Sequence, residues 1–115
     1  MDEGERGRKI KIFISQPMNG KSESEILKER EEISQLVKNY FTEEVYILDS
    51  FILGAKDVDP LFCLGYSLMM LSKADYAVFG KGWRASRGCE IEHKCCEEYG
   101  ISTIYIRKGE VKDWQ

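Results

Sequence analysis

Apolar residues recur along this chain in two patterns, short runs and longer stretches with helical spacing. The short runs have the length of buried strands, and they occupy 9–15, 45–48, 76–79 and 101–106. The longer stretches repeat apolar residues at intervals of three and four, and they occupy 22–41, 59–71 and 86–99. Strands that alternate with helices predict a parallel sheet with right-handed crossovers.

The ends of the predicted helices carry capping residues. Ser22 followed by Glu25 is a capping box, so the first helix is expected to start there and to run to about Phe41. Asp59-Pro60 is typical of an N-cap followed by proline at the first helical position, which predicts the second helix. Gly100 is expected to close the third helix as a C-cap.

We therefore predict an α/β fold, a flavodoxin-like or Rossmann-like three-layer sandwich whose parallel sheet has four to five strands. Residues 1–8 are expected to form a flexible N-terminal arm, and residues 9–115 a single domain. A loop with Gly54 and Asp57 precedes the second helix, and a charged tail with Trp114 follows the fourth strand.

Composition narrows the classes of function. The chain has 115 residues, of which 32% are charged, and a formal net charge of −3, which disfavours binding to nucleic-acid polymers and to membrane surfaces. No apolar run approaches the ~20 residues that cross a bilayer, and the polar residues 1–8 lack the apolar core of a secretory signal. We therefore expect a cytoplasmic protein whose partner is a small molecule.

The four cysteines do not have the spacing of a metal site. They are Cys63, Cys89, Cys95 and Cys96, and they lack the paired two-residue spacing typical of zinc ligands. Because no secretory signal is recognised, reduced thiols are expected. The sequence therefore predicts no metal centre.

The carboxyl ends of parallel strands meet at one edge of the sheet, where such folds place their ligands. Three loops follow the predicted strands at that edge, at 16–20, 49–50 and 80–88. Their convergence predicts a cleft for a small polar ligand. The alternative interpretation is that they are ordinary connecting turns of an α/β fold.

Glu92 is the carboxylate expected to face this cleft. Gly88, Ile91 and Cys95 are spaced to share one small apolar face of the third helix, which is predicted to pack on the sheet. Glu92 lies one residue past Ile91, so it flanks that face, and its side chain can point into the cleft. A carboxylate that only interacts favourably with the helix dipole is the alternative.

Two neighbours of Glu92 are expected to have structural roles. Glu90 points roughly opposite and lies four residues before Lys94, the spacing of a solvent-exposed ion pair. His93, the only histidine, leaves the helix about a hundred degrees away from Glu92. It is expected to be a surface or packing residue.

Two helix starts and two aromatic residues are further candidates for ligand contacts. Ser86 and Arg87 can hold an anion at the start of the third helix, and Ser86 as a plain N-cap fits equally well. The segment Asn19-Gly20-Lys21-Ser22 is a second start suited to an anion, but it lacks the glycine spacing of a phosphate loop. Trp83 and Phe13 can sandwich a planar base, and core packing is the stronger interpretation for Phe13.

The order of these motifs resembles the nucleoside 2-deoxyribosyltransferase superfamily. The resemblance covers Lys9 to about Ile106 and rests on three segments. They are Lys11-Ile12-Phe13-Ile14-Ser15-Gln16-Pro17-Met18, Ser72-Lys73-Ala74-Asp75 and Gly88-Cys89-Glu90-Ile91-Glu92. The last segment is the most specific, and its pattern is most similar to a small branch found in bacteria and phages.

The resemblance implies cleavage or transfer of the N-glycosidic bond of a (deoxy)nucleoside or a nucleoside 5′-monophosphate. Glu92 occupies the position of the family's nucleophile, and Asp49 and a water held by Ser67 are the candidates for moving a proton to the departing base. The implied substrate-binding residues are Phe13, Gln16, Pro17, Met18, Asn19, Gly20, Trp83, Arg84, Ser86, Arg87 and Gly88. Among these, Trp83 would stack on the base, and Arg84 or Arg87 would hold a 5′-phosphate.

The resemblance also implies that neither a metal nor an organic cofactor is needed. It further implies a homodimer or a higher homo-oligomer, in which a neighbouring copy completes the pocket.

Three positions depart from the pattern of the family. Phe13 stands where the enzymes commonly have tyrosine, Ser15-Gln16-Pro17 where they have Ala-Gly-Pro, and Ser67 where they often have aspartate. Ser67 and Phe13 favour an alternative function, that of a non-catalytic nucleotide-binding or sensing module with the same fold. Flavodoxin-like cofactor binding is a third alternative that the fold alone permits.

Overall fold

The computed structural model describes residues 9–52 and 58–114. In chain order its elements are β1 (Ile10–Ser15), α1 (Glu23–Tyr40), β2 (Val45–Ile47), α2 (Pro60–Leu71), β3 (Tyr76–Phe79), a short 3-10 helix (Trp83–Ala85), α3 (Arg87–Tyr99), β4 (Ser102–Arg107) and β5 (Glu110–Lys112). The predicted N-terminal arm at 1–8, and Gly54 and Asp57 of the predicted loop, lie outside the described residues. The predicted α/β class is confirmed.

The five strands form one mostly parallel sheet in the order β2-β1-β3-β4-β5. The pairs β1–β2, β1–β3 and β3–β4 are parallel, and β4–β5 is antiparallel. The chain passes from β1 outward to β2 and then returns past β1 to β3, so its direction across the sheet reverses between β1 and β3. In open α/β sheets, a crevice at the carboxyl ends of the strands opens at such a reversal.

The fifth strand corrects the expectation of a charged tail after β4. Glu110–Lys112 pairs with the end of β4, with Val111 opposite Ile106. A two-residue turn of Lys108 and Gly109 joins the strands, and both residues have positive φ angles, 52° and 76°. The sequence pattern missed β5 because its three residues include a single apolar side chain, too few to show a period of two.

The side chains of β1 alternate between two hydrophobic clusters, because successive residues of a strand point to opposite faces of the sheet. The first cluster joins β1 to α1 and contains Ile12, Ile14, Ile33, Val37, Val78 and Ile104. The second joins β1 to α2 and α3 and contains Phe13, Leu48, Leu71, Ala77, Phe79, Cys96 and Tyr105. Each of the three helices therefore packs some of its apolar residues against the strands.

The helix ends lie within one residue of the predicted ones. Ser22 caps α1 in a complete capping box with Glu25. The Asp59 carboxylate accepts a hydrogen bond of 3.0 Å from the backbone N–H of Leu61, so it caps α2. Gly100 closes α3 with φ 71°, in the left-handed region that glycine tolerates best. The predicted caps are confirmed.

Within the described part of the chain, no helix has both the length and the apolar character needed to cross a bilayer. The four cysteines are free.

Candidate active site

A cavity of about 880 Å³ opens at the carboxyl end of β1, next to the reversal of strand order. All three loops that were predicted to converge at this edge contribute to its wall, together with the first turns of α2 and α3. The volume lies within the range of small-molecule sites, roughly 300–1,000 Å³. The cavity is therefore the primary candidate for a ligand site.

Glu92 lies in the wall of this cavity, although only 7% of its surface is exposed. Its Oε1 accepts a hydrogen bond of 2.6 Å from the Oγ of Ser15, the last residue of β1. A buried carboxylate needs such partners because burial removes its water shell. The end of β1 thus holds the Glu92 carboxyl group in place beside the cavity.

The buried face of α3 differs from the predicted one. Cys89, Glu92, His93 and Cys96 are buried, whereas Ile91 is 37% exposed and borders the cavity. The predicted apolar face of Gly88, Ile91 and Cys95 was therefore wrong by about one residue, or a hundred degrees of helix rotation. The physical reason is that Ser15 satisfies the Glu92 carboxyl group, so this polar residue can occupy the centre of the packed face.

The pKa of Glu92 is raised from 4.5 to about 7 by burial. The hydrogen bond from Ser15, the nearby positive charge of Arg30 and a hydrogen bond from Ser67 act against this rise, because each favours the ionised form. Around neutral pH the carboxyl group is therefore divided between its protonated and ionised forms. Groups with pKa values near the working pH are common in catalytic sites.

Arg30 is the cation that balances this carboxylate, and sequence reasoning missed it. Its guanidinium is buried and donates hydrogen bonds to Gln16 Oε1 at 3.2 Å, to the Leu48 carbonyl at 3.1 Å and to Ser50 Oγ at 3.0 Å. Burial lowers the pKa of Arg30, and the charges of Asp49 and Glu92 raise it.

A signal for Arg30 was present in the sequence. Arg30 lies four residues after Ile26 and three before Ile33, on the apolar stripe of α1. A charged residue at a buried helix position requires a polar partner in the fold, so it was a candidate for the site. Ser15 gave a similar but weaker signal, as a hydroxyl at the end of an apolar strand.

Most of the residues proposed for ligand binding border the cavity. Those that line it are Phe13, Gln16, Met18, Asn19, Ser67, Ser86, Arg87 and Gly88, together with Glu92. Pro17, Gly20 and Asp49 do not belong to its described lining. The charge of Asp49 raises the pKa of Arg30. The backbone carbonyl of Asp49 accepts a hydrogen bond from Tyr66 Oη. Asp59 is a second carboxylate in the lining, and its side chain also caps α2.

Trp83 and Arg84 lie away from the Glu92 cavity and line a second groove. The Trp83 ring stacks on His93 with centroids 4.3 Å apart and planes 23° apart. Buried His93 also lies 2.7 Å from Tyr105 Oη through Nε2. His93 is therefore a packing residue, as expected, while Trp83 packs against α3 and does not face the Glu92 carboxyl group.

Glu90 is exposed, as predicted, but its expected ion pair is not formed. Lys94 instead pairs with Glu98, one turn further along α3, at 3.1 Å. Both spacings are four residues, so the sequence did not distinguish between them.

No family model, curated protein or solved structure matches this chain significantly. The chemistry of the cavity and the sequence motifs are therefore the features that indicate a function.

The raised pKa of Glu92 predicts a pH-dependent cost to stability. Between pH 4.5 and about 7 the folded protein keeps a proton that the unfolded chain releases, so the free energy of unfolding falls as pH rises through that window. The total fall is about 3 kcal/mol. Glu92→Gln has no such proton to keep, so its stability relative to the wild type should rise by that amount from pH 4.5 to pH 8. Urea denaturation at both pH values measures the change.

Glu90→Gln is the matched control, because it removes an exposed carboxylate from the same helix. Its difference from the wild type should stay within about 0.5 kcal/mol at both pH values. A pH-independent difference between Glu92→Gln and the wild type would contradict the assignment of the buried, proton-holding carboxyl group.

Proposed function

We propose that this protein cleaves or transfers the N-glycosidic bond of a (deoxy)nucleoside or a nucleoside 5′-monophosphate, with Glu92 as the nucleophile. The observation that carries the proposal is the buried Glu92 carboxyl group, hydrogen-bonded to Ser15 in the wall of a large cavity at the carboxyl edge of the sheet. A carboxylate in this position is poorly suited to stabilising the fold and well suited to reacting with a bound ligand.

The reaction proceeds in two steps. An ionised oxygen of Glu92 attacks the anomeric carbon of the sugar, and the bond from that carbon to the base nitrogen breaks. The base leaves with its bonding electrons and takes up a proton from a water held by Ser67. A second base, or water, then attacks the same carbon, releases Glu92 as a carboxylate and returns a proton to the hydroxide left by the first step. Arg30 and Ser15 favour the ionised form that the first step requires.

Residues around Glu92 fit the parts of such a substrate. Ser86 and Arg87 lie at the start of α3, where backbone N–H groups and the helix dipole favour a 5′-phosphate. Met18, 37% exposed, provides apolar surface for the sugar and base, and Asn19 provides a polar contact for sugar hydroxyls. Phe13 is 1% exposed and packs in the hydrophobic core, which is the stronger of its two sequence interpretations. The proposed arrangement uses side chains and backbone N–H groups of the protein itself, without a metal or an organic cofactor.

We also propose that the fold is a three-layer sandwich and that the protein is cytoplasmic. One hydrophobic cluster joins the sheet to α1 and the other joins it to α2 and α3, which supports a three-layer sandwich of the flavodoxin-like type. The strand order supports the same type. Free cysteines are in keeping with a reducing, cytoplasmic location.

A second candidate function is a nucleotide-binding or sensing module without turnover. The observation that favours it is the position of Asp49, which lies outside the described lining of the cavity and cannot readily protonate a departing base there. Ser67 lines the cavity but has no acidic proton of its own. The two candidates make the same prediction for ligand binding and opposite predictions for base release.

We propose that the partner of this chain is a second copy that covers α2. This helix has no charged residue, and Leu61, Phe62 and Met69 are 74%, 63% and 54% exposed. A helix that is apolar all round is normally buried, and Leu61 also borders the Glu92 cavity. A copy packed on α2 would therefore form part of the wall of the cavity.

Base release from deoxynucleosides and their 5′-monophosphates, followed by chromatography, tests the catalytic proposal. Glu92→Gln should lower the rate by more than about a thousandfold, because the nucleophile is lost. Glu90→Gln should retain the rate of the wild type. The wild-type rate should rise with pH through about 7, since only the ionised form of Glu92 attacks.

The result separates the two candidate functions. Base release that persists in Glu92→Gln would contradict the role of this residue. Binding of a nucleotide by the wild type without any base release would favour the sensing module.

Charge on α2 should separate the two copies. Phe62→Glu with Met69→Glu places two carboxylates on the exposed apolar face, where burial would remove their water. Sedimentation should show a dimer for the wild type and a monomer for the double variant. Tyr99→Glu is the control, because Tyr99 is 81% exposed at the end of α3. A monomeric wild type, or dissociation of Tyr99→Glu to the same degree, would contradict the proposal.

A further inference from the structure

A second groove, of about 640 Å³, lies at the carboxyl ends of β3 and β4. Residues 80–84, which follow β3, form one wall, and residues 105–109, at the end of β4 and the turn to β5, form the other. We call this surface, formed by residues 80–84 and 105–109, the basic groove. Its described lining shares no residue with that of the Glu92 cavity. It is therefore a separate surface, and the proposed glycosidic reaction does not use it.

Four cations line the basic groove, two on each wall. They are Lys81, Arg84, Arg107 and Lys108, and the described lining contains no carboxylate. The ion pairs of the described residues involve other cations. Glu110, which follows the turn, is paired with Lys112 at 3.1 Å. Among residues 9–52 and 58–114, the like charges of the groove therefore have no ion-pair partner, although the chain as a whole has a net charge of −3.

Contacts with tryptophan hold two of these cations beside the groove. The Arg84 guanidinium carbon lies 5.0 Å from the centroid of the Trp83 ring, and the Arg107 guanidinium carbon lies 4.9 Å from that of Trp114. Trp83 is itself fixed by its stack on His93. Cation–π contacts limit the positions of the guanidinium groups but leave their N–H donors able to bind an anion.

The conformation of Lys108 is a second observation. It is the one non-glycine residue with a positive φ angle among those described, at 52°. Left-handed backbone costs a residue with a Cβ about 1 kcal/mol, and asparagine or glycine is preferred at this position of a two-residue hairpin turn. A lysine there adds strain without adding a packed side chain, since Lys108 is exposed. The positive charge of Lys108 at the groove is therefore the benefit that offsets the strain of its backbone.

We propose that the basic groove binds a compact anion with two or more phosphoryl groups, of the nucleoside di- or triphosphate class. Four cations on two facing walls match the spread of charge on adjacent phosphoryl groups better than that of a single phosphate. A long nucleic-acid strand would extend beyond the groove along a protein whose net charge is −3, and that charge disfavours a polyanion. The compact anion is therefore the favoured occupant.

Titration calorimetry with inorganic tripolyphosphate tests this proposal on the whole chain. The wild type should bind tripolyphosphate more tightly than orthophosphate. Lys108→Gly and Lys81→Gln should each weaken the binding by about tenfold, because each removes one charge-assisted contact. Lys108→Gly should also raise the melting temperature, since glycine tolerates the turn, so weaker binding by this variant is not explained by unfolding.

Three control variants and one competing ligand separate the possible outcomes of this experiment. Lys28→Gln removes an exposed lysine from α1 and should leave the binding unchanged, whereas an equal loss there would show a general charge effect and overturn the proposal. Glu92→Gln should also leave it unchanged, so the groove and the proposed reaction are tested independently. A loss caused by Arg87→Gln in place of the groove variants would assign the anion to the Glu92 cavity. Tighter binding of a single-stranded oligonucleotide at the same groove residues would overturn the choice of a compact anion.

Discussion

The hydrogen bond between Ser15 and Glu92 is the contact on which this account depends. It joins the last residue of β1 to a buried face of α3, and it lies where the strand order reverses. Burial opposes the charge on Glu92, while Ser15, Arg30 and Ser67 favour it. The carboxyl group is thereby kept near the midpoint of its titration at neutral pH. A fold built for stability alone would place an apolar residue there, so the cost to stability points to a chemical role.

Arg30, whose charge favours the ionised form of Glu92, also connects two of the loops at the edge of the sheet. Its guanidinium connects Gln16, after β1, with Ser50, after β2, so two of the three loops at the edge share one buried cation. Removing either the cation or the carboxylate would leave the other charge buried with fewer partners. The electrostatics of the cavity and the packing of its loops are therefore parts of one arrangement.

The sequence predicted the order of the elements and the helix caps because both depend on local patterns, as at Ser22, Asp59 and Gly100. Local patterns do not predict contacts between residues that are far apart in the sequence. The rotation of α3 depends on Ser15, 77 positions from Glu92, and β5 depends on pairing with β4. Trp83 was assigned to the Glu92 cavity because it precedes α3, yet its stack on His93 turns it toward the basic groove. Adjacent positions in a loop thus serve two different surfaces.

The central claim is that one carboxyl group is held, buried and partly protonated, beside the cavity. It is tested most directly by nuclear magnetic resonance titration of the side-chain carboxyl carbons in protein labelled with ¹³C-glutamate. The Glu92 signal is identified by its disappearance in Glu92→Gln. The account predicts that this signal titrates with a pKa of about 7. A Glu92 signal that titrates at its ordinary pKa, near 4.5, would contradict the account.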